Sequence, residues 1–420
     1  MARVLFLAHR LPYPPDKGDK IRAYHVLQHL QRHHEVLLGT FVDDPADLQH
    51  VSHVRGLCHE LHVRRVHRRA GLLGSLAGLL TGEALSQRFY RDRSMHEWVR
   101  GVCHGQRADV MLVYSSPMAQ YAANTLMPTL VDFCDLESAK WARYAATRRW
   151  PLSALYARES RCVQQVERKA AASANWSFFS TESELAQFRA LAPEQAPRAC
   201  VFGNGVDADY FAPDPARASP FAAAESVIVF TGTMDYWPNV DAVLWFAAAV
   251  LPELRQRYPT LRFCIVGRNP TAAVRALSSD AVQVTGEVPD VRPYLQHAAA
   301  VVVPVRLVHG IPNKLLEALA MERPVVASAG CVASVGAEAG RDVYAATTAL
   351  DYVGHLDTVL SQPVASQLAA SEGRRFVLAH HAWPSRLAVL DAQINAITQA
   401  PSFASTKPLP DTKKHLTGVP

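Results

Sequence analysis

The sequence predicts an α/β protein made of two successive Rossmann-like domains. Short, continuously apolar segments alternate with longer segments of helical spacing along most of the chain. Turns that contain glycine follow several of the apolar segments, for example at Gly18 and Gly267. A stretch rich in Pro and Ala at 209–225 separates two such series and is predicted as a linker. Because an unbroken apolar run is typical of a strand covered on both faces, we expect two parallel sheets flanked by helices.

The first series predicts an N-terminal domain over 1–208. It begins with a βαβ unit, in which a strand at 3–8 and a strand at 35–41 flank a helix whose apolar residues recur over 21–30. The other predicted elements are strands at 108–114, 129–133, 176–180 and 199–202, and helices at 136–146 and 155–174.

The second series predicts a C-terminal domain over 226–368, followed by one final helix over 369–399. Its predicted strands are 227–231, 261–266, 282–285, 299–304 and 324–328, and its predicted helices are 240–257 and 312–322. Residues 400–420 combine several prolines with polar residues and are predicted as a disordered tail.

Composition excludes several classes of protein. The 420 residues are 49% hydrophobic and 19% charged, with a net charge of +5, which excludes a disordered or collagen-like chain. The 7 cysteines form no CxxC pair, so neither a disulfide framework nor a zinc site is expected, and a reducing compartment is favoured. The run at 4–8 is too short for a leader peptide, and no stretch approaches the ~20 apolar residues of a spanning helix. We therefore expect a cytoplasmic protein that binds no nucleic acid, since the charge is modest.

The segment 305–328 holds the strongest candidate site. A loop with Gly310 joins a predicted strand to a helix that begins near Pro312, and Asn313 and Lys314 fall in the first helical turn. Free backbone N–H groups and the helix dipole favour an anion there, such as a diphosphate. Glu317 lies one turn further on the same face, where its carboxylate could bind a vicinal diol. The alternative is that Lys314 and Glu317 form an ordinary surface pair on the helix.

This segment resembles the donor-site motif of the retaining GT-B glycosyltransferases of family 4, the glycosyl transferases group 1 domain. The EALA sequence at 317–320 and the PVVAS sequence at 324–328 carry the resemblance, together with NGVD at 204–207 and the F-A-P triplet at 211–213. The resemblance covers nearly the whole chain. It implies two Rossmann-like domains that face each other across a cleft, with the C-terminal helix packing back on the N-terminal domain.

The same resemblance implies roles for residues of the second domain. Glu317 would hold the nucleotide ribose. The family's first glutamate falls at His309, so His309 or the backbone N–H groups at Gly310 and Ile311 would act beside the donor sugar. No metal ion or other cofactor is expected, because the nucleotide sugar is itself a substrate.

The loop at 230–239 lacks the arginine and lysine that bind the diphosphate in the family. Thr233 or Met234 stands roughly in the place of one of them, and Asn239 in the place of the other. The donor phosphates would therefore depend on Lys314, the helix N-terminus and Arg268.

Two positions of the first domain are candidates for the site. Gly18 stands where the family has a Gly-Gly loop, although a glycine in a turn is as often only a turn. Asp135 follows a predicted strand, and we expect it, or less strongly Asp132, to orient an acceptor hydroxyl. The alternative is that Asp135 caps the helix that follows it.

The stretch 62–93 joins basic residues to an apolar stripe. The arginines are Arg64, Arg65, Arg68 and Arg69, and the leucines are Leu72, Leu73, Leu76, Leu79 and Leu80, at the spacing of one helical face. A basic flank on an apolar stripe suits an anionic membrane surface, on which a lipid-linked acceptor would be found. The alternative is that the leucines belong to the core and the arginines to a solvated face.

The sequence thus predicts a metal-independent retaining glycosyltransferase that moves a sugar from a nucleotide diphosphate sugar to a lipid-linked or polysaccharide acceptor. Its motifs resemble most those of sugar transferases of exosortase and exopolysaccharide loci, which implies a cytoplasmic enzyme, peripheral on the inner face of the membrane. A non-catalytic GT-B subunit that binds a glycan or a partner enzyme remains the alternative, because family residues are missing. A GT-B epimerase is less favoured.

Overall fold

The computed structural model of the protein describes residues 1–123, 125–223, 225–308 and 310–399. Two predictions therefore fall outside the described residues. These are the disordered tail at 400–420 and the role of His309 beside the donor sugar.

Among the described residues, the first sheet has seven parallel strands in the order β3-β2-β1-β4-β5-β6-β7. The strands are β1 (Arg3–Ala8), β2 (Glu35–Val42), β3 (Glu60–Arg65), β4 (Val110–Tyr114), β5 (Thr129–Cys134), β6 (Trp176–Phe179) and β7 (Ala199–Val201). The helices around it are α1 (Gly18–His33), α2 (Val51–Arg55), α3 (Arg68–Ser75), α4 (Gly78–Thr81), α5 (Leu85–Phe89), α6 (Arg93–His104), α7 (Glu137–Thr147), α8 (Leu152–Ser173) and α9 (Glu182–Leu191).

The second sheet has six parallel strands in the described part of the chain, in the order β10-β9-β8-β11-β12-β13. The strands are β8 (Val227–Thr231), β9 (Arg262–Val266), β10 (Val282–Gly286), β11 (Ala300–Val303), β12 (Val325–Ser328) and β13 (Tyr344–Ala346). The helices are α10 (Trp237–Ala249), α11 (Leu251–Arg257), α12 (Ala272–Arg275), α13 (Arg292–Gln296), α14 (Asn313–Ala320), α15 (Ala329–Val335), α16 (Ala349–Ser361), α17 (Pro363–His380) and α18 (Trp383–Gln399).

The predicted fold class is confirmed, and so are the strands that read as apolar runs. Every residue of β4 and β8 is buried, as expected for central parallel strands with helices on both faces. The prediction missed β3 and β13, which close the two sheets at opposite edges. Both lack an apolar run, because an edge strand is only partly covered and β13 has just three residues.

Two predicted helices are each broken in two. The helix predicted over 240–257 divides before Leu251, and that predicted over 369–399 divides at His381. In both cases a proline, Pro252 or Pro384, is the second residue of the second helix. In the first turn of a helix the N–H that proline lacks would have no partner anyway, whereas in the middle of one continuous helix the proline would remove a hydrogen bond and break it.

The division near His381 separates two packing roles. α17 packs on the second domain, where a Cβ on Gly373 would lie 2.5 Å from the carbonyl oxygen of Asp342. α18 buries Leu387, Leu390 and Ile394 in the core of the first domain. The prediction that the C-terminal helix packs back on the N-terminal domain is thus confirmed for α18, whereas the single helix over 369–399 is wrong.

The basic, apolar stretch is also not one continuous helix. Arg64 and Arg65 end β3, and the leucines are divided between α3, α4 and the residue after α3. All five leucines lie on the surface, with exposed fractions from 44% at Leu79 to 92% at Leu80. The alternative that they belong to the core is therefore wrong.

Candidate functional site

The two domains meet along the carboxyl ends of their strands, where the N-termini of α1 and α14 face each other. Gly18 begins α1 and Asn313 begins α14. A Cβ on Gly18 would lie 3.8 Å from the amide nitrogen of Asn313. Both helix ends therefore present backbone N–H groups to the same cleft, which favours an anion between them.

A buried arginine fixes this geometry. Arg22 is 1% exposed and binds both carboxylate oxygens of Asp132 at 2.8 and 2.9 Å. Its other donors reach Asn204 Oδ1 at 2.9 Å and the carbonyl of Phe202 at 2.6 Å. The amide of Asn204 in turn donates to Asn313 Oδ1 at 3.0 Å. The NGVD turn thus joins the first domain to α14. Both carboxylate oxygens of Asp132 accept hydrogen bonds from Arg22, so this carboxylate is less suited than Asp135 to bind an acceptor hydroxyl.

Lys314 lies against the turn that follows β8. Its ammonium donates to Asn239 Oδ1 at 2.7 Å and stands 4.1 Å from the ring centroid of Phe230. A Cβ on Gly232 would lie only 2.5 Å from Lys314 Nζ. Gly232 therefore makes room for the ammonium, beside the loop that lacks the arginine and lysine of the resembling family.

Lys314 and Glu317 are not the surface ion pair of the alternative reading. Both side chains are half-buried, and no contact within 4.0 Å joins their charged groups in the described structure. Burial lowers the pKa of Lys314 to about 8, against the opposing effect of Glu317. Burial raises the pKa of Glu317 to about 7, although Lys314 lowers it. Both groups therefore titrate close to neutral pH and lie next to the helix N-terminus.

Arg268 comes from the turn after β9 and is held across the cleft. Its Nη1 contacts the carboxylate of Asp16, which also lies 3.3 Å from the ammonium of Lys20. Nε and Nη2 of Arg268 are buried and have no hydrogen-bond partner among the described residues. These two donors form one edge of the guanidinium, the geometry that binds a phosphate or carboxylate in a bidentate manner. The sequence prediction named Arg268 but missed Asp16, since their pairing spans 252 positions.

Asp135 meets the loop of the second domain that contains Gly310. It follows β5, and a Cβ on Gly310 would lie 2.3 Å from Asp135 Oδ1. Gly310 has a φ of +60°, a conformation that favours glycine. Burial raises the pKa of Asp135, whereas Lys140 and Arg22 lower it. The structure thus brings Asp135 and Gly310 together at the cleft.

The alternative role of Asp135 as a helix cap is wrong. The N-terminus of α7 has no side-chain cap from the preceding residue. Its backbone N–H groups at Leu136 and Ser138 donate instead to Glu184 at 3.2 Å and to Glu167 at 3.1 Å. Carboxylates from α9 and α8 therefore do the capping, and they were out of reach of a local sequence argument.

The hairpin of α7 and α8 also crosses the cleft, which the sequence did not predict. Arg143 Nη1 donates to the carbonyl of Val308 at 2.9 Å, two residues before Gly310. The guanidinium of Arg148 lies 5.8 Å from the ring centroid of Trp237 at the start of α10. Burial, and then the neighbouring Tyr144, raise the pKa of Tyr236. The only sequence signal was the lack of acidic residues over 138–158.

The described residues contain neither a cluster of metal ligands nor a helix that could span a membrane. Over the described ranges, no three or more His, Cys, Asp or Glu side chains converge in a way that would bind a metal ion. In the same ranges, every helix is too short or too polar to cross a bilayer.

Comparison with known proteins gives the fold a name. Residues 225–360 match the family described as Glycosyl transferases group 1. No curated protein sequence matches the chain.

Solved structures match along almost the whole chain. Sucrose-phosphate synthase from Thermosynechococcus elongatus superposes with a TM-score of 0.72 at 15% identity, over 96% of this chain and 100% of that one. HepE of Anabaena, in complex with UDP and glucose, gives 0.69 at 14% identity, over 94% and 100%. WaaG, a glycosyltransferase involved in lipopolysaccharide biosynthesis, gives 0.62 at 16% identity, over 93% and 99%. The chain therefore has the two-domain GT-B fold of glycosyltransferases, and its second domain matches glycosyl transferases group 1.

Proposed function

We propose that this protein is a retaining glycosyltransferase that uses a nucleotide diphosphate sugar. One observation carries the proposal: two helix N-termini, the ammonium of Lys314 and the free edge of Arg268 converge between the two domains. A diphosphate is the ligand that matches this set, because it offers several anionic oxygens to backbone N–H groups and to two cations.

The leaving group determines what these residues would do. As the bond between the sugar and the diphosphate breaks, negative charge grows on the departing phosphate oxygen. Lys314, Arg268 and the N-terminus of α14 would stabilise that charge without reorganisation, because neighbouring groups already hold them in place. In a retaining reaction the departing oxygen would take the proton of the acceptor hydroxyl on the same face of the sugar.

The ribose and the acceptor would lie on opposite sides of the diphosphate. Glu317 would accept hydrogen bonds from the ribose diol, one helical turn beyond Lys314. Asp135, from the first domain, would orient the acceptor hydroxyl at the donor loop beside Gly310. His309 would contact the donor sugar, as the resemblance implies. The complexes of HepE with UDP and UDP-glucose support a nucleotide sugar as the donor class.

We further propose a lipid-linked or polysaccharide acceptor, within exopolysaccharide or cell-surface polysaccharide synthesis on the inner face of the membrane. The exposed leucines of α3 and α4, beside the arginines at 64–69, support contact of the first domain with a membrane. Flotation with liposomes tests this contact: a variant with Ser at Arg64, Arg65, Arg68 and Arg69 should float less than the wild type, and equal flotation would contradict it.

The alternative is a non-catalytic subunit, which the missing family arginine and lysine favour. The position of Lys314 speaks against it, because its ammonium contacts Asn239 and stands beside Gly232 in the loop that lost those cations. The missing positive charge is therefore present, supplied from α14.

A donor panel separates the two functions. UDP-, GDP- and ADP-sugars should be tested by thermal shift and by hydrolysis or transfer of a labelled sugar, with the product anomer read by NMR. One donor should raise the melting temperature and turn over with retention. Glu317→Ala should weaken binding of that donor without unfolding the protein, while the exposed control Lys169→Ala should bind normally. If no donor shifts the melting temperature or turns over, the result contradicts the proposed transferase and favours the subunit function.

A further inference from the structure

The tip of the hairpin between α7 and α8 carries an exposed tryptophan. Trp150 is 81% exposed and Leu152 is 47% exposed. Arg148 and Arg149 precede them and are exposed as well. An isolated apolar residue on a surface is ordinary, but a large aromatic ring next to an exposed leucine and two cations is typical of an interaction surface.

The charge of the hairpin indicates what it meets. Between 138 and 158 the chain has five basic residues and no acidic one. Three of them reach the cleft, since Arg143 binds Val308, Lys140 lies near Asp135 and the guanidinium of Arg148 lies 5.8 Å from the ring centroid of Trp237. At the tip itself the exposed cations are Arg149 and Arg148, the latter also facing Trp237, and no acidic residue offsets them, which favours an anionic occupant.

The segment with the exposed leucines of α3 and α4 is bonded to α8, the helix that follows the tip. Arg158 of α8 donates to the carbonyl of Glu83 at 2.9 Å and also contacts the carbonyl of Gly78, which begins α4. The carboxylate of Glu159 accepts the backbone N–H of Leu85 at 2.8 Å. Arg158 is six residues from Leu152, about 9 Å along the helix. The leucine segment is thus bonded to the half of α8 that leads to the tip.

The segment 61–82 has the same charge character. It contains four arginines and two histidines and no acidic residue. Apolar side chains, a tryptophan and arginines together fit the interfacial region of a bilayer with anionic lipids, where an indole ring sits at headgroup level and cations bind phosphates.

We propose that the tip 148–152 is a second membrane-docking element, which binds an anionic bilayer together with the leucine segment 68–80. The role of this docking in acceptor delivery rests on the proposed lipid-linked acceptor. The contact between the tip and the bilayer does not depend on that acceptor. The same hairpin reaches the second domain, because Arg143 binds Val308 and Arg148, at the edge of the tip, faces Trp237. A docked tip therefore holds the mouth of the cleft against the lipid surface, so that an acceptor enters from the membrane.

Flotation of the full-length protein with vesicles tests the tip. Vesicles of phosphatidylcholine with 30% phosphatidylglycerol should bind the wild type, and pure phosphatidylcholine should bind it far less. Trp150→Ser should lower the partition coefficient about tenfold, as expected for one large apolar side chain. Arg148→Ser with Arg149→Ser should lower it by about tenfold or more on the anionic vesicles alone. Leu350→Ser, which removes a side chain 79% exposed on the second domain, is the matched control and should bind as the wild type.

Fluorescence locates the ring directly. Brominated lipids should quench the emission of the wild type more than that of Trp150→Phe, because only the former has an indole at the tip. Equal quenching, or unchanged flotation of Trp150→Ser, would overturn the proposal. A change in sedimentation of Trp150→Ser without lipid would assign the tip to contact between copies of the chain and also overturn it. UDP-sugar binding by Trp150→Ser should equal that of the wild type, so failure of the docking is distinguishable from failure of the donor site.

Discussion

Binding of a nucleoside diphosphate should depend on pH through Lys314 and Glu317. The pKa of Lys314 is lowered to about 8 by burial, so the free protein loses this proton as the pH rises through 8. A bound diphosphate restores the proton because it favours the charged ammonium. Binding above pH 8 must therefore take up one proton, and the dissociation constant should rise about tenfold for each further pH unit. Below pH 8 Lys314 is already charged, so its contribution to the dissociation constant should no longer change with pH.

The acidic limb should come from Glu317. Burial raises its pKa to about 7, so below pH 7 the carboxylate is increasingly protonated and accepts hydrogen bonds from the ribose less well. Affinity should therefore be highest between about pH 7 and 8. Glu317→Gln should remove this limb and weaken binding at the optimum by about 1.5–3 kcal/mol, the contribution of hydrogen bonds to a charged group. That corresponds to roughly a tenfold to hundredfold rise in the dissociation constant.

Isothermal titration calorimetry from pH 6 to 10, in buffers of different ionisation enthalpy, measures both the affinity and the proton uptake. The ligand's own ionisation affects every protein alike, so the differences between variants isolate the two side chains. Lys314→Met should lose the alkaline limb and its proton uptake, and Lys169→Met should retain both. An alkaline limb of equal slope in Lys314→Met would refute the assignment of this lysine to the phosphate site.

Three further predictions concern other contacts of the site and the core. Gly232→Ala should weaken donor binding about tenfold, because its Cβ would displace the ammonium of Lys314 2.5 Å away, and should also lower fold stability, because a φ of +153° strains any residue with a Cβ; calorimetry and a melting curve check the two parts. Asp16→Asn should raise the donor KM several-fold with kcat less affected, since Arg268 loses the charge that orients it, and Asp16→Glu should restore most of the affinity. Burial raises the pKa of Glu167 from 4.5 to about 8 in the folded protein. Its contribution to the free energy of unfolding should therefore be fully present below pH 4.5 and be lost as the pH rises to 8. Glu167→Gln should therefore unfold at higher denaturant concentration than the wild type at pH 9, and an equal midpoint would contradict the shift.

The parts of the fold that were predictable are those with a local signal. β1, β4 and β8 read as apolar runs because both of their faces are covered. The helix of Lys314 was predictable because Pro312 and the preceding glycine loop stand next to it in the sequence. Edge strands such as β3 were missed, since partial exposure leaves no regular pattern.

The contacts that were not predictable join distant segments. Arg268 was named as a candidate phosphate ligand, but its orientation depends on Asp16, which belongs to the other domain. The capping of α7 by Glu184 and Glu167 rather than Asp135 follows from the packing of α8 and α9. The leucine stripe of α3 and α4 has the same spacing whether it is covered or exposed, so only the tertiary structure could decide between core and surface.

The positive charges of Lys314 and Arg268 connect the contacts at the cleft to the proposed function. The loop at 230–239 contains neither arginine nor lysine, so it would offer a diphosphate only backbone N–H groups on that side. Lys314 offsets this lack because α14 directs its side chain towards Gly232, and glycine is the residue that leaves space for an ammonium there. Holding a lysine in a half-buried position lowers its pKa, which destabilises the free protein and is relieved when an anion arrives. A protein that never binds an anion would gain nothing from a lysine held in this way. Arg268 shows a second such cost, because two of its buried donors have no hydrogen-bond partner in the described chain. Two unrelated side chains thus favour the same ligand, which supports a donor site that binds and releases a diphosphate.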